Sequence, residues 1–96
     1  MSKWSPEETR DYILKTLYDV YMDSPTAHVT WDAFSEATDE HPSGKDIYRE
    51  CEWLKWKGLI EASFGPTSVS AVRITPAGRE YVERNLLKPS SGRKVE

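Results

Sequence analysis

Lys45 and Arg49 stand four residues apart in a stretch, Ser43 to Ile60, that has the pattern of one capped helix. Ile47, Cys51 and Leu54 recur at i, i+4 and i+7, the spacing of a buried stripe. At roughly 100° per residue the opposite face carries Lys45, Arg49, Glu52 and Trp56. A guanidinium can fork onto the edge of a guanine, and an ammonium is a point charge for a phosphate. A helix with a packed back and a partly basic front is what groove-reading proteins present to DNA. The plainer reading of the same pattern is a solvated amphipathic helix.

The remaining reactive side chains point away from catalysis. Cys51 lies on the apolar stripe and reads as a small core residue, because a reactive thiol needs exposure and a lowered pKa. His28 and His41 have no cysteine or acidic pair at ligand spacing, so no metal site is expected. No glycine-rich phosphate loop follows a strand, and no Ser/His/Asp set is apparent. The expectation is a protein that is not an enzyme and carries no cofactor. Trp56 projects opposite the buried stripe, far along the helix; it either covers the base of the following hairpin or anchors a partner, where tryptophan is enriched.

Composition bounds these readings. Ninety-six residues, 38% hydrophobic and 11% aromatic, suit one globular domain with a modest core. No apolar run approaches the roughly 20 residues that span a bilayer, and no export leader precedes the first helix. A single cysteine excludes an internal disulfide, which suits a cytoplasmic setting. The net charge of −3 argues against indiscriminate polyanion binding. It is unevenly spread: residues 1–42 hold 3 basic and 9 acidic side chains, residues 43–96 hold 10 and 7.

The elements that must position these residues are marked by their ends. Ser5-Pro6-Glu7-Glu8 is a capping box with proline at the first helical position, opening a helix to about Met22 with Ile13, Leu14, Leu17, Tyr18 and Tyr21 inward. His28-Val29 suits a one-rung strand, with Val29 bridging to the hairpin. Thr30 caps a predicted second helix, Trp31 to about Thr38, whose inner face is Trp31, Phe34 and Ala37. Ser43 caps the third helix, and Gly58 is placed to end it in the left-handed region. The period then falls to 2 through Ile60, Ala62 and Phe64 and again through Val72 and Ile74, around the turn residues Gly65-Pro66-Thr67-Ser68: a β-hairpin. Thr75-Pro76 starts a fourth helix with Tyr81, Val82 and Leu86 inward. The expected domain is 5–88, and 89–96 reads as a flexible tail.

Leu54-Lys55-Trp56-Lys57-Gly58-Leu59-Ile60, a hairpin, then Arg73-Ile74-Thr75-Pro76-Ala77-Gly78-Arg79-Glu80-Tyr81-Val82 resembles the pattern of the winged helix-turn-helix superfamily, including MarR-like and PadR-like regulators and small single-domain prokaryotic and phage proteins. The resemblance covers roughly Pro6 to Leu87 and rests on scaffold positions: the exit from the third helix, the wing, and the entry to the fourth. It implies an α+β, mainly helical winged helix in the order helix, short strand, helix, helix, hairpin wing, helix. It further implies a transcriptional regulator that binds double-stranded DNA, with the third helix in the major groove. Carried over by position, the DNA contacts are Ser43, Gly44, Lys45, Tyr48 and Arg49 on that helix and Thr67, Ser68 and Arg73 on the wing. By the same analogy a homodimer would form through the first helix, the last helix or both, with Tyr12, Tyr18 and Tyr81 as candidate contacts. Two departures stand beside it: the wing tip Gly65 to Ser70 has no Lys or Arg, and Ser43 to Lys57 carries 4 basic against 3 acidic residues. The other expectation is a winged helix used for protein interaction or assembly, with Trp56 as the partner surface.

Overall fold

The computed structural model describes residues 4–87. Three helices and a three-stranded antiparallel sheet follow in the order α1 (Pro6–Asp23), β1 (Val29–Asp32), α2 (Gly44–Trp56), β2 (Ile60–Phe64), β3 (Ser68–Ile74) and α3 (Pro76–Tyr81), the last running into a π-helical turn, Val82–Leu86. The sheet order is β1-β3-β2. Val29 lies opposite Val72, so the expected rung between the early strand and the hairpin is present and extends to Asp32 opposite Ser68.

The local signals act as their chemistry requires. Ser5 accepts from the amide of Glu8 while the Glu8 carboxylate accepts from Ser5, closing a capping box around the start of α1. Ser43 Oγ accepts from the amide of Asp46, and Thr75 Oγ1 from that of Gly78. At the end of α2, Gly58 sits at φ +80°; its amide bonds to Lys55 O and that of Leu59 to Leu54 O, a Schellman ending that satisfies two orphan carbonyls.

The helices and sheet share one core. Ile13, Leu14 and Leu17 of α1, Ile47, Cys51 and Leu54 of α2, Ile60, Val69 and Val72 of the hairpin and Val82 are all buried. All but Val69 belong to the apolar period of their own element; Val69 is out of step with Val72 and Ile74 and is brought inward by the bulge at Ala71.

The segment after β1 departs from expectation. Residues 31–38 form no helix; β1 takes Trp31 and Asp32, and the chain then turns. Ala33 N–H extends the ladder to Thr67 O, Asp32 Oδ1 accepts from Phe34 N–H, and Ser35 Oγ bonds Asp32 O. Sheet pairing thus takes over the first residues of the predicted helix, and what remains is too short to nucleate one. Among the described residues there are three α-helices, not the four helices expected. Phe34, expected inward, is exposed. The last helix also departs from a plain α-helix: Leu87 N–H bonds Val82 O, and Tyr81, expected inward, is partly exposed. The expected tail 89–96 lies outside the described residues.

Candidate interaction face

The outward face of α2 carries Lys45, Arg49, Glu52 and Trp56, all exposed, as the helical period predicts. What their neighbours do to them was not legible in that period. The Arg49 guanidinium donates from Nη2 to Asp46 at 2.8 Å and from Nε to Glu50 at 3.2 Å. The bond to Glu50, with Asp46 beside it, holds the guanidinium proton more firmly than usual. Glu50 is itself buried and takes a second donor, Arg10 Nε of α1, at 2.8 Å. Arg49 therefore lies over a pair of carboxylates, and its Nη1 group makes no bond among the described residues. Lys45 makes no ion pair among the described residues.

The other expected DNA contacts scatter. Ser43 is occupied as the cap of α2. Gly44 is buried, its amide bonded to Ser35 O, and a Cβ there would collide with the backbone of Asp32 and Ala33. It is a packing glycine, closed to a phosphate. Tyr48 leans on the hairpin, its hydroxyl donating to Gly65 O at 2.6 Å and its ring 5.3 Å from that of Phe64. Thr67 is exposed at the hairpin turn, but its carbonyl holds Ala33. Ser68 pairs opposite Asp32, and Arg73 bonds Glu61 across the hairpin at 3.3 Å. Of the eight, only Lys45 and Arg49 share an outward stripe.

The aromatic residues make the face distinctive. Trp56 is 79% exposed, and Lys57 Nζ lies 5.0 Å from its ring centroid. It does not cover the hairpin. Trp53, 37% exposed, has the Arg10 guanidinium 3.8 Å from its centroid and Lys57 Nζ at 5.3 Å. Around the N-terminal end of the same helix, Phe34 is 73% exposed in an open groove shared with Ala33, Ser35 and Lys45. Charge is polarised along α2. From Asp32 to Asp46 the chain has five acidic residues against Lys45; at the other end Lys55 and Lys57 make no ion pair among the described residues.

Sequence reasoning missed Glu50 and Phe34. Glu50 is three residues from Ile47 and four from Leu54, so its spacing placed it on the flank of the buried stripe. Phe34 gave no such signal, since its exposure follows from a helix that does not form. Of the expected dimer contacts, Tyr18 is corrected: it is 9% exposed, and its hydroxyl donates to Glu83 at 2.9 Å, inside the chain. Tyr12 is half-buried with its ring edge-on to Trp4. Cys51 is fully buried, with its thiol pushed up to about 12 by burial and by the nearby Glu50. Among the described residues no cluster of His, Cys, Asp and Glu could hold a metal ion, and no helix is long and apolar enough to cross a membrane. Comparison with protein-family profiles, curated proteins and solved structures finds no match for this chain.

Proposed function

We propose that the chain is an interaction or assembly module on a winged-helix-like scaffold, binding protein through the outward stripe of α2. The observation that carries this reading is the 79% exposure of Trp56 on a helix whose Arg49 is already held by carboxylates. An indole left in water gains most from a partner, and exposed tryptophan is the residue type that dominates protein interfaces. Support for the scaffold comes from the sheet order β1-β3-β2, with α2 directly ahead of the hairpin. A photo-crosslinking residue at position 52 or 56, introduced in cells, should yield adducts that protease destroys and nuclease leaves intact. The same group at Asp19, on α1, should give none. Nuclease-sensitive adducts, or no adduct at either position, would end this reading.

Duplex DNA is the second reading, favoured by one observation: Lys45 is exposed, with no ion pair among the described residues, one turn from Arg49. The acidic surroundings of Lys45 oppose a phosphate backbone, and the hairpin tip offers no cation. A salt titration of duplex binding separates the two. Under the DNA reading affinity falls steeply with salt, and Lys45→Ala lowers the slope by about one unit. Under the assembly reading no duplex binds even at low salt.

A further inference from the structure

We infer that the partner of the α2 stripe is the same stripe on a second copy of this chain, packed antiparallel about a two-fold axis; this rests on the assembly reading above. The stripe residues are numbered 45, 49, 52 and 56. Their spacing of four, three, four is symmetric about a point between residues 50 and 51. Reversing the helix on itself therefore brings each position level with another of the set.

The residue types at those positions are complementary under the same operation. Arg49 meets Glu52 of the second copy, and Glu52 meets Arg49, so two ion pairs form about the axis. Glu52 makes no ion pair of its own among the described residues. Arg49 keeps Nη1 for it while Asp46 and Glu50 hold the rest of the guanidinium in place. Trp56 comes level with Lys45 of the second copy, and the two such meetings lie about 16 Å apart at ~1.5 Å per residue. There the indole enters the open groove beside Phe34. One operation thus covers Trp56 and Phe34, the two most exposed large apolar side chains among the described residues, in both copies. Lys45 of the second copy meets an indole that carries Lys57 of its own chain, and the mutual burial is mainly aromatic.

Charge and shape agree. The acidic N-terminal surroundings of α2, with Glu36 in the same groove as Lys45, face the end of the second copy that carries Lys57, while Lys55 is turned to its own hairpin, where Nζ bonds Ala62 O. The opposite meeting occurs at the other end of the pair. A helix with its side chains is about 10–12 Å across, and all four stripe positions of α2 are exposed, so the stripe can lie along its copy. An interface of this kind is isologous and closes at two copies. It is small, so the dimer is expected to be reversible.

Sedimentation equilibrium from about 10 µM to 1 mM reads the association, a range suited to a small interface. Wild type should pass from monomer to dimer and stop there. Trp56→Ala, at an exposed position that leaves the fold intact, should weaken dimerisation about tenfold or more. Arg49→Glu alone and Glu52→Arg alone should each be monomeric, because each places like charges about the axis twice. An equimolar mixture of the two variants should recover dimers, since every Glu then faces an Arg. Circular dichroism of each variant checks that it is folded, and the Trp56→Ala result stands if Arg49→Glu is not. A wild type that stays monomeric overturns the inference. So does a dimer indifferent to Trp56→Ala, or a mixture that recovers nothing while both variants are folded. Crosslinks from positions 52 and 56 to a different protein would overturn the second copy as partner and leave the interaction reading standing.

Discussion

A carboxylate buried between two guanidiniums is costly to disturb. Glu50 has its side chain 5% exposed and takes Arg10 at 2.8 Å and Arg49 at 3.2 Å. Glu50→Gln removes the negative charge and leaves Arg10, itself mostly buried, against a neutral amide. Removing one partner of such a pair costs about 3 kcal/mol, which urea unfolding would register as a lower midpoint with unchanged slope. A result within experimental error of wild type would show that the pair contributes nothing. Two backbone positions test the fold in opposite directions. Gly44→Ala forces a methyl into the backbone of Asp32 and Ala33, and overpacking of about 1–3 kcal/mol should exceed the gain in helix propensity of about 1 kcal/mol. Ala71 lies at φ 53°, where β3 bulges between its registers with β1 and β2, so Ala71→Gly should stabilise by about 1 kcal/mol. None of these roles was legible in the sequence. Each depends on a group brought close from a distant part of the chain, and Gly44 in particular reads locally as an open helix start.

At the scale of elements, what was legible was what is local. The three caps, the Schellman ending at Gly58 and the change of period into the hairpin are all decided within a few residues, and all appear in the structure. The segment from Trp31 to Thr38 was misleading for the same reason. Its period and its Thr30 cap favour a helix, and only the distant strand β3 tells the chain to pair instead. Hydrogen exchange distinguishes the two conformations amide by amide. In the extended form Ala33 is protected by Thr67 O, Phe34 by the Asp32 carboxylate and Thr38 by His41 O. The backbone amides of Ser35, Glu36 and Ala37 donate no bond among the described residues and should exchange quickly. A helix over 31–38 would reverse the pattern, protecting 35–38 and leaving Ala33 open. The same segment bears on function. Without a helix there, the exposed Phe34 and the groove beside Lys45 belong to the outward stripe of α2, and the first helix of a helix-turn-helix is missing from the side that would cross a phosphate backbone.

Across the whole molecule, the core ties its stability to alkaline pH through two groups that give up a proton. Burial, then the neighbouring Glu50, pushes the Cys51 thiol from an ordinary 9.0 to about 12. The bond that the Tyr18 hydroxyl donates to Glu83, with desolvation adding to it, raises Tyr18 above its ordinary 10.0. For both, folding favours the protonated form. Their contribution is fully present below the unfolded values and is lost as pH rises through the folded ones, because the unfolded chain has by then released protons that the native chain still holds. Stability should therefore be insensitive to these groups up to about pH 9 and fall between about pH 9 and 12. Unfolding midpoints taken at intervals through that window should decline in wild type. Cys51→Ala should decline less from pH 9 upward, and Tyr18→Phe less from pH 10 upward, each after allowance for its own constant offset. Alkylation of Cys51 gives an independent reading. Only the thiolate reacts, so at pH 8.5 the native thiol should label at a rate set by opening of the core and should speed up in urea in step with unfolding. Rapid labelling of the native protein at that pH would mean that Cys51 is not held in the core as the α2 stripe places it.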